Sequence, residues 1–500
     1  MSITQYNDII LINMNMDYKN KLNERQLEAV ETSFQNVRII AGAGSGKTRV
    51  LTYRIAYLID QYNVQPWKIL AITFTNKVAN EMKNRIIQLL PEVENDLTIK
   101  TFHSFAAYFL RHEIGVLNYP ANFTILDEED QTTLVKSIAA EMGFKKSDKI
   151  VGNALNYIGR QKLYGKYPED ISIVHKSFED EDTCLEIYAR YEEAKTSNVS
   201  LDFDDLLLKA NYILENYPDI RVKWQNYFSN ILIDEFQDTN DTEFKLIKLL
   251  LKPSTSLYVV GDPDQTIYTW RGANQNIILD MPKLFLGLED IVLNENYRST
   301  QNILDSANRL IANNKLRVKK DLFTRKELGD SIVVKSNFSG SAEAEYVARE
   351  ILRLTQTGKY SLSDIAILYR ANYVSRDFES ELMHKGITYR IYGGLKFYQR
   401  REIKDVLAYF HLITNVKDDV SFERIFNVPR RGIGDSSFVI LKDEALSNKK
   451  SMYEYVKDID PLDSMMPKKA INSLKSMVKL IDVCRDKINE NDEVFSKTLE

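Results

Sequence analysis

An α/β fold built on parallel sheet is the architecture this sequence predicts, and three observations predict it. Short apolar runs, Val37 to Ile40, Lys68 to Thr75, Asn230 to Ile233 and Ser256 to Val260, alternate with stretches of helical period. One of them leads through a glycine-rich turn directly into an amphipathic helix carrying Leu51, Ile55, Leu58 and Ile59. Several of the runs end in polar or charged residues, as strands of a doubly wound sheet do at the carboxyl edge where ligands bind. At 500 residues the chain is too long for one core, and about three to four domains of roughly 100–200 residues are expected.

Composition narrows the class further. Hydrophobic residues make up 44% and charged residues 27%, ordinary globular values. No apolar run approaches the ~18 residues of a membrane span, so no membrane partner is expected. The N-terminus, Met-Ser-Ile-Thr-Gln, lacks the basic-then-apolar layout of a secretory signal, which predicts a cytoplasmic protein. Cys184 and Cys484 are the two cysteines, far apart and outside any metal-binding spacing, so neither a disulfide framework nor a zinc site is expected. A net charge of −5 neither points to nucleic acid nor excludes it, because a basic groove can sit on an acidic body. Basic residues cluster at Arg317 to Lys320, at Gln399-Arg400-Arg401 and at Arg430-Arg431. Such runs are more often solvated faces than binding sites.

Taken in order, the chain opens on a polar, Asn-rich extension over residues 1–20. Leu22 to Val30 then predicts a helix capped by Asn23, in which the Gln26 carboxamide offers the donor and acceptor that an adenine edge demands. Ala41-Gly42-Ala43-Gly44-Ser45-Gly46-Lys47-Thr48 follows a strand and starts a helix. That context makes it a phosphate loop, with backbone N–H groups and the helix dipole facing the anion, Lys47 reaching the β- and γ-phosphates and Thr48 binding Mg²⁺. The first position is Ala41 where the usual pattern has Gly. Strands ending at Thr73-Phe74-Thr75 and near Thr101-Phe102-His103 are expected, with a helix over residues 76–90 between them.

Residues 112–199 change to acidic and lysine-rich helical segments, among them Asp127 to Met142 and Thr183 to Lys195, predicting an inserted helical domain. At Asp202, Asp204 and Asp205 a metal site competes with helix capping, and capping is preferred because Asn230 to Asp238 accounts better for a metal. There a buried strand ends in Asp234, placed to hold Mg²⁺, and Glu235, placed to orient and polarise the attacking water. Beyond the strand Ser256 to Val260 comes a polar loop in which Gln265 can contact the γ-phosphate or the water. Tyr268 and Trp270 supply flat faces for stacking bases, with the Arg271 cation beside them.

With these residues in place the chain resembles the UvrD/Rep-type superfamily 1 DNA helicases, and among them the PcrA/UvrD group. Leu22 to Val30, Ala41 to Thr48, Ala71 to Lys77, Thr101 to Ser104, Asp202 to Leu206, Asp234 to Asp238, Gly261 to Ala273 and Asn296-Tyr297-Arg298-Ser299-Thr300 match the family's blocks in order. The resemblance implies two RecA-like P-loop NTPase domains, each with a mainly helical insertion. It divides the chain into a first motor domain at 21–111 and 200–288 interrupted by the 112–199 insertion, a second motor domain at 289–388, and its helical insertion at 389–500. It further implies that Gln26 and Arg49 contact adenine, that Tyr297 stacks on it, and that Arg298 acts as an arginine finger from the second domain. Phe74, His103, Tyr268 and Trp270 would touch single-stranded DNA. Asp364 to Arg370 is expected as a strand of the second domain, and Gly393 to Tyr398 as the start of its insertion. Gly432-Ile433-Gly434 resembles a turn that grips duplex phosphates through backbone N–H groups, the other reading being a plain turn.

The implied activity is ATP-driven, Mg²⁺-dependent translocation 3′ to 5′ on single-stranded DNA, with unwinding at single-strand/duplex junctions in repair or replication. Repair or replication proteins would be partners, and the working form a monomer or dimer. Two further family blocks, one with a second catalytic arginine, are not found before Glu500, which leaves the second motor domain incomplete and makes a fragment or a truncation the expectation. An ATP- and DNA-binding fragment that hydrolyses ATP poorly is therefore the alternative. A small-molecule P-loop kinase fits the phosphate loop but not the Tyr268/Trp270 pair, and no nuclease cluster is visible.

Overall fold

The computed structural model describes residues 18–490 except 34, 94–95, 146–147, 173–177, 316 and 393–400. Most of the N-terminal extension, the Gly393 to Tyr398 segment and the Gln399-Arg400 part of one basic cluster lie outside the described residues.

Strands β1 (Asn36–Ala41), β2 (Ile69–Thr73), β3 (Thr98–Thr101), β6 (Asn230–Ile233), β7 (Ser256–Gly261) and β8 (Glu289–Leu293) form one sheet in the order β3-β2-β6-β7-β1-β8. Every pairing is parallel, with Ile40 opposite Gly261, Ile233 opposite Val259, Thr73 opposite Thr101 and Ala41 opposite Leu293. The residue alternation explains why the sheet is covered on both faces. Ile40, Ile72, Ile231, Ile233 and Val259 enter one core, while Val37, Ile39, Ala71, Leu232 and Val260 enter the other. Helices α1 (Glu24–Glu31), α2 (Lys47–Asp60) and α3 (Asn76–Leu89) cover the second face through Ala29, Val50, Ile55 and Met82. Helix α4 (Phe102–Glu113), together with Leu206, Trp224 and Ile247, covers the first. Parallel strands place all six carboxyl ends on one edge, where the site is built.

Two details differ from expectation. Residues 289–293, expected at the start of the second motor domain, pair with β1, because Ile291 and Leu293 alternate into the core already lined by Ile39 and Ala41. Residues 364–370 form no strand: a ladder needs a partner, none is supplied among the described residues, and Leu368 stays exposed.

The first insertion packs helices α5 (Glu128–Glu141), α6 (Lys149–Leu163) and α7 (Glu181–Ser197) around Val135, Ile158 and Tyr188. A two-stranded parallel sheet that the sequence reading did not anticipate, β4 (Thr124–Leu126) with β5 (Ser200–Asp202), ties its ends together. Asp202 caps helix α8 (Phe203–Asn216), accepting from the Asp205 N–H at 3.0 Å. Glu192, Asp202 and Asp205 converge as metal ligands would. Two ammonium groups fill their centre instead: Lys162 Nζ lies 2.6 Å from Asp202, 2.7 Å from Asp205 and 2.8 Å from Glu192, and Lys195 contacts the same three. Burial pushes the Asp205 carboxyl up, but the two lysines outweigh it and hold the group well below the usual range. Removing one cation would strand buried carboxylates, so Lys195→Met is expected to cost about 3–5 kcal/mol in urea unfolding. A loss under about 1 kcal/mol would mean that water already screens the cluster.

Residues 408–481 form a further helical core around Leu412, Phe422, Tyr453, Leu474 and Ile481. It meets the first insertion at Asn415, whose buried Nδ2 donates to Thr124 Oγ1 and to the Asn198 and Val199 carbonyls at 3.0–3.2 Å. Residues 330–404 make a separate compact unit. In it the helices Gly340–Gln356 and Ser375–His384 pack through Ala348, Ile351 and Leu382. No described helix is long and apolar enough to cross a membrane.

Candidate ATP site and nucleic-acid platform

The phosphate loop joins the end of β1 to the first turn of α2. Gly46 occupies the N-cap of α2 at φ +89° and Gly44 sits at φ +69°, left-handed conformations that a side chain would strain. An added Cβ on Gly46 would also lie 2.9 Å from Gln26 Nε2. Ser45 Oγ closes the loop on the Gly42 carbonyl at 2.8 Å. Lys47 Nζ, emerging from the loop, lies 2.6 Å from Glu235 Oε2, and the Thr48 hydroxyl donates to Asp234 Oδ2 at 3.2 Å. The strand ends of β1 and β6 thus bring together all four residues named from sequence.

Glu235 stands at φ +49°, ψ +43°, an uncommon backbone state for a non-glycine residue that turns its carboxylate toward the loop. Burial, and then the Glu235 charge, push the Asp234 carboxyl up to about 6, with Lys47 pulling the other way. A buried carboxylate disfavoured as an anion, beside a threonine hydroxyl, is a fitting donor pair for a hard divalent cation, whose charge would reverse that shift.

The residues expected on the adenine side gather at the loop's flank. Gln26 Nε2 donates to the Ser45 carbonyl at 2.9 Å and its Oε1 completes the capping box of α1 with Asn23, so both ends of the carboxamide are engaged. The Arg49 guanidinium lies over the Tyr53 ring and bonds the Lys21 carbonyl. Tyr297 hydrogen-bonds Asn23 through its hydroxyl and Gly44 O through its backbone N–H at 2.9 Å. The segment after β8 therefore lies directly on the phosphate loop. Asn296 reaches the Ala43 carbonyl, Leu322 fills the space beside Gly42, and the Arg298 Cβ would meet a Cβ on Gly44 at 2.7 Å, leaving the Arg298 side chain exposed there.

The aromatic group occupies the same sheet edge. Phe74 stacks on Tyr268 with centroids 4.7 Å apart and planes at 22°, and Tyr268 approaches Trp270 at 6.4 Å. The Arg271 guanidinium lies 4.8 Å over the Trp270 ring. Ser104 Oγ donates to Asn76 Oδ1 at 3.1 Å, joining the start of α3 to the start of α4, where His103 meets Phe203 edge-on at 6.0 Å. Burial lowers the His103 pKa, favouring a neutral ring. Trp270 is 66% exposed and Phe203 44%, unusual for such large apolar surfaces unless something covers them.

Sequence reasoning passed over three residues that this geometry singles out. Gln237, 1% exposed, donates to Glu235 Oε2 at 3.0 Å and accepts from the Asp262 N–H at 2.9 Å, so it links the end of β6 to the loop after β7. A Cβ on Gly261 would stand 2.8 Å from its oxygen, which explains the glycine. Phe203 was hidden among the carboxylates around it. Lys320 was counted in a basic cluster, yet it is buried against Asp262 and Asp264, with Arg317 bonded to Asp264 as well. These two cations are paired inside the protein and do not form a solvated face. Arg431 is likewise spent internally, on the Ile425 and Val428 carbonyls at 2.7 and 2.8 Å and on Tyr409. Gly432, at φ +72°, and Gly434 flank the buried Ile433 and have open space around them, so either reading of that turn remains compatible with its geometry.

A family model described as the UvrD/REP helicase N-terminal domain matches residues 22–285, and one described as the UvrD-like helicase C-terminal domain matches residues 291–497. The chain belongs to the UvrD/REP helicase family. Among curated proteins it is similar to the ATP-dependent DNA helicase PcrA of Bacillus subtilis (strain 168), 40% identical over 481 residues that cover 95% of this chain and 65% of that protein. Proteins of the same name from Leuconostoc citreum and Staphylococcus epidermidis are each 41% identical across 89% of this chain. This UvrD/REP family chain spans 59–65% of the length of these relatives.

Proposed function

We propose that this chain carries the ATP site and the strand-binding platform of an ATP-dependent DNA helicase that translocates 3′ to 5′ on single-stranded DNA and opens junctions with duplex in repair or replication. The observation that carries this reading is the single sheet edge shared by the Lys47–Glu235 pair and the Phe74–Tyr268 stack. In the proposed mechanism the loop amides of Ala41 to Gly46 and Lys47 hold the ATP phosphates, with Gln26 and Arg49 facing the adenine and Tyr297 stacking on it. Mg²⁺, held by Thr48 and Asp234, would neutralise charge on the phosphate oxygens. Glu235 orients the attacking water and accepts its proton, Gln265 contacts the γ-phosphate, and Arg298 faces the charge that develops there. Phe74, His103, Phe203, Tyr268 and Trp270 offer ring faces to successive bases and Arg271 a cation, while Gly432 and Gly434 present backbone N–H groups to duplex phosphates.

The division into motor domains at 21–111 with 200–288 and at 289–388, with helical insertions at 112–199 and 389–500, belongs to the same proposal. The C-terminal domain match over residues 291–497 weighs against a fragment that binds without turning over. The test is ATP hydrolysis by the 500-residue chain with and without single-stranded DNA. Stimulation is expected, and Trp270→Ala should raise the DNA concentration for half-stimulation about 5- to 150-fold, since each stacked base contributes ~1–3 kcal/mol. Turnover indifferent to DNA would overturn the reading and favour a small-molecule kinase.

A further inference from the structure

Lys320 lies on the segment that follows Arg298 in the chain, yet its ammonium is buried against the loop that begins at the end of β7. Its side chain is 3% exposed, and Nζ lies 2.6 Å from both Asp262 Oδ1 and Asp264 Oδ2. The other oxygen of Asp262 accepts from Gln265 Nε2 at 2.6 Å, and the Asp262 N–H donates to Gln237, which donates in turn to Glu235. The contacts run without a break from Lys320 through Asp262 to Gln265, and from Asp262 through Gln237 to the Glu235–Lys47 pair. The segment that carries Lys320 is also fixed, three residues further on, to the segment that leads into Arg298. The Phe323 N–H donates to the Asn294 carbonyl at 3.1 Å and the Asn296 N–H to the Phe323 carbonyl at 2.7 Å.

We infer that Lys320 is a positioning residue for ATP turnover, which fixes the Asp262 carboxylate so that Gln265 is held toward the γ-phosphate, and which keeps the Arg298 segment in register with that glutamine. Two arguments distinguish this from a role in stability alone. The lysine bridges two carboxylates, and one of them, Asp262, is also the acceptor that holds the Gln265 amide. The pairing also joins the two chain segments that carry the proposed phosphate-facing residues Gln265 and Arg298, so their separation is set by a rigid, water-excluded contact and not by loop flexibility. Gln265 leads within three residues to Tyr268, so the same joint fixes the start of the aromatic platform.

The inference rests on the reading of this chain as a DNA-stimulated ATPase, and the experiment separates the two. DNA-stimulated kcat and KM for ATP are measured for the wild-type chain, Lys320→Met, Gln265→Ala and the double variant, with thermal unfolding followed for each. Misplacing a group by about 1 Å can cost on the order of 10²-fold, so Lys320→Met is expected to lower kcat about 10- to 100-fold with KM within about twofold. Because the lysine acts through the glutamine, the same substitution in the Gln265→Ala background should change kcat less than about threefold, a non-additivity that lost stability alone would not produce. Lys320→Gln, which keeps an N–H donor, should recover part of the rate, and it carries the same comparison if Lys320→Met does not fold. Full additivity with Gln265→Ala, an unchanged kcat, or a raised KM at constant kcat would overturn the inference. A wild-type chain without DNA-stimulated turnover would instead overturn the functional reading and this inference with it.

Discussion

Arg298→Ala is expected to lower DNA-stimulated ATP turnover about 10³- to 10⁵-fold while changing nucleotide affinity only a few-fold. The asymmetry follows from where the residue sits. The Arg298 backbone is fixed by the Asn296 Oδ1 acceptor at 2.9 Å, its Cβ lies against Gly44, and the residue is exposed and outside the core. A fixed fork of positive charge there gains most when negative charge moves onto the γ-phosphoryl oxygens, so its loss falls on the transition state and not on the ground state. Arg298→Lys should restore only part of the rate, since a point charge cannot reproduce the planar fork. The measurement is kcat and KM for ATP at saturating single-stranded DNA, with binding of a non-hydrolysable nucleotide read separately. Equal losses in binding and in kcat/KM would place Arg298 in ground-state recognition.

Lys47→Ala should reduce turnover by at least on the order of 10²- to 10³-fold, the scale of losing one preorganised donor to a developing charge, and should weaken nucleotide binding too. In the proposed role this lysine would reach phosphates in ground and transition states alike, so both kcat and KM should move, unlike the Arg298 variant. It is also the partner of Glu235, which the substitution leaves to Gln237 alone. Because the Glu235 side chain is one-third exposed, the cost to stability should be small, and unchanged thermal unfolding would separate the chemical loss from a folding defect. Turnover within tenfold of wild type would remove Lys47 from the site.

Much of this site was legible in the sequence because its chemistry is local. A phosphate loop is a contiguous turn, and a strand ending in Asp234-Glu235 advertises itself by apolar residues followed at once by charge. Asp202 was legible as a cap for the same reason, since capping depends on a residue three positions away. The aromatic pair was visible only in part. Tyr268 and Trp270 share a loop, but Phe203 and His103 come from α8 and α4, brought to one edge by the parallel sheet.

What the sequence could not convey is how charged residues far apart in the chain are spent. Lys162, Lys195 and Lys320 belong to lysine-rich stretches that look solvated, and each is almost wholly buried among carboxylates. Composition cannot separate a solvated lysine from a paired one, because the difference lies in which carboxylates the fold brings within 3 Å. The extent of the first sheet was equally a tertiary decision: β8 joins β1 because its alternate apolar residues complete a core already lined by Ile39 and Ala41. By itself the sequence determined an α/β chain with a phosphate-loop motif, since strand period, loop glycines and capping residues act over a few positions, and its ordered motifs carried the resemblance to the UvrD/Rep family. Only the tertiary structure decided which cations are spent among buried carboxylates and which stay exposed, because burial and pairing are properties of neighbours that the chain order does not contain.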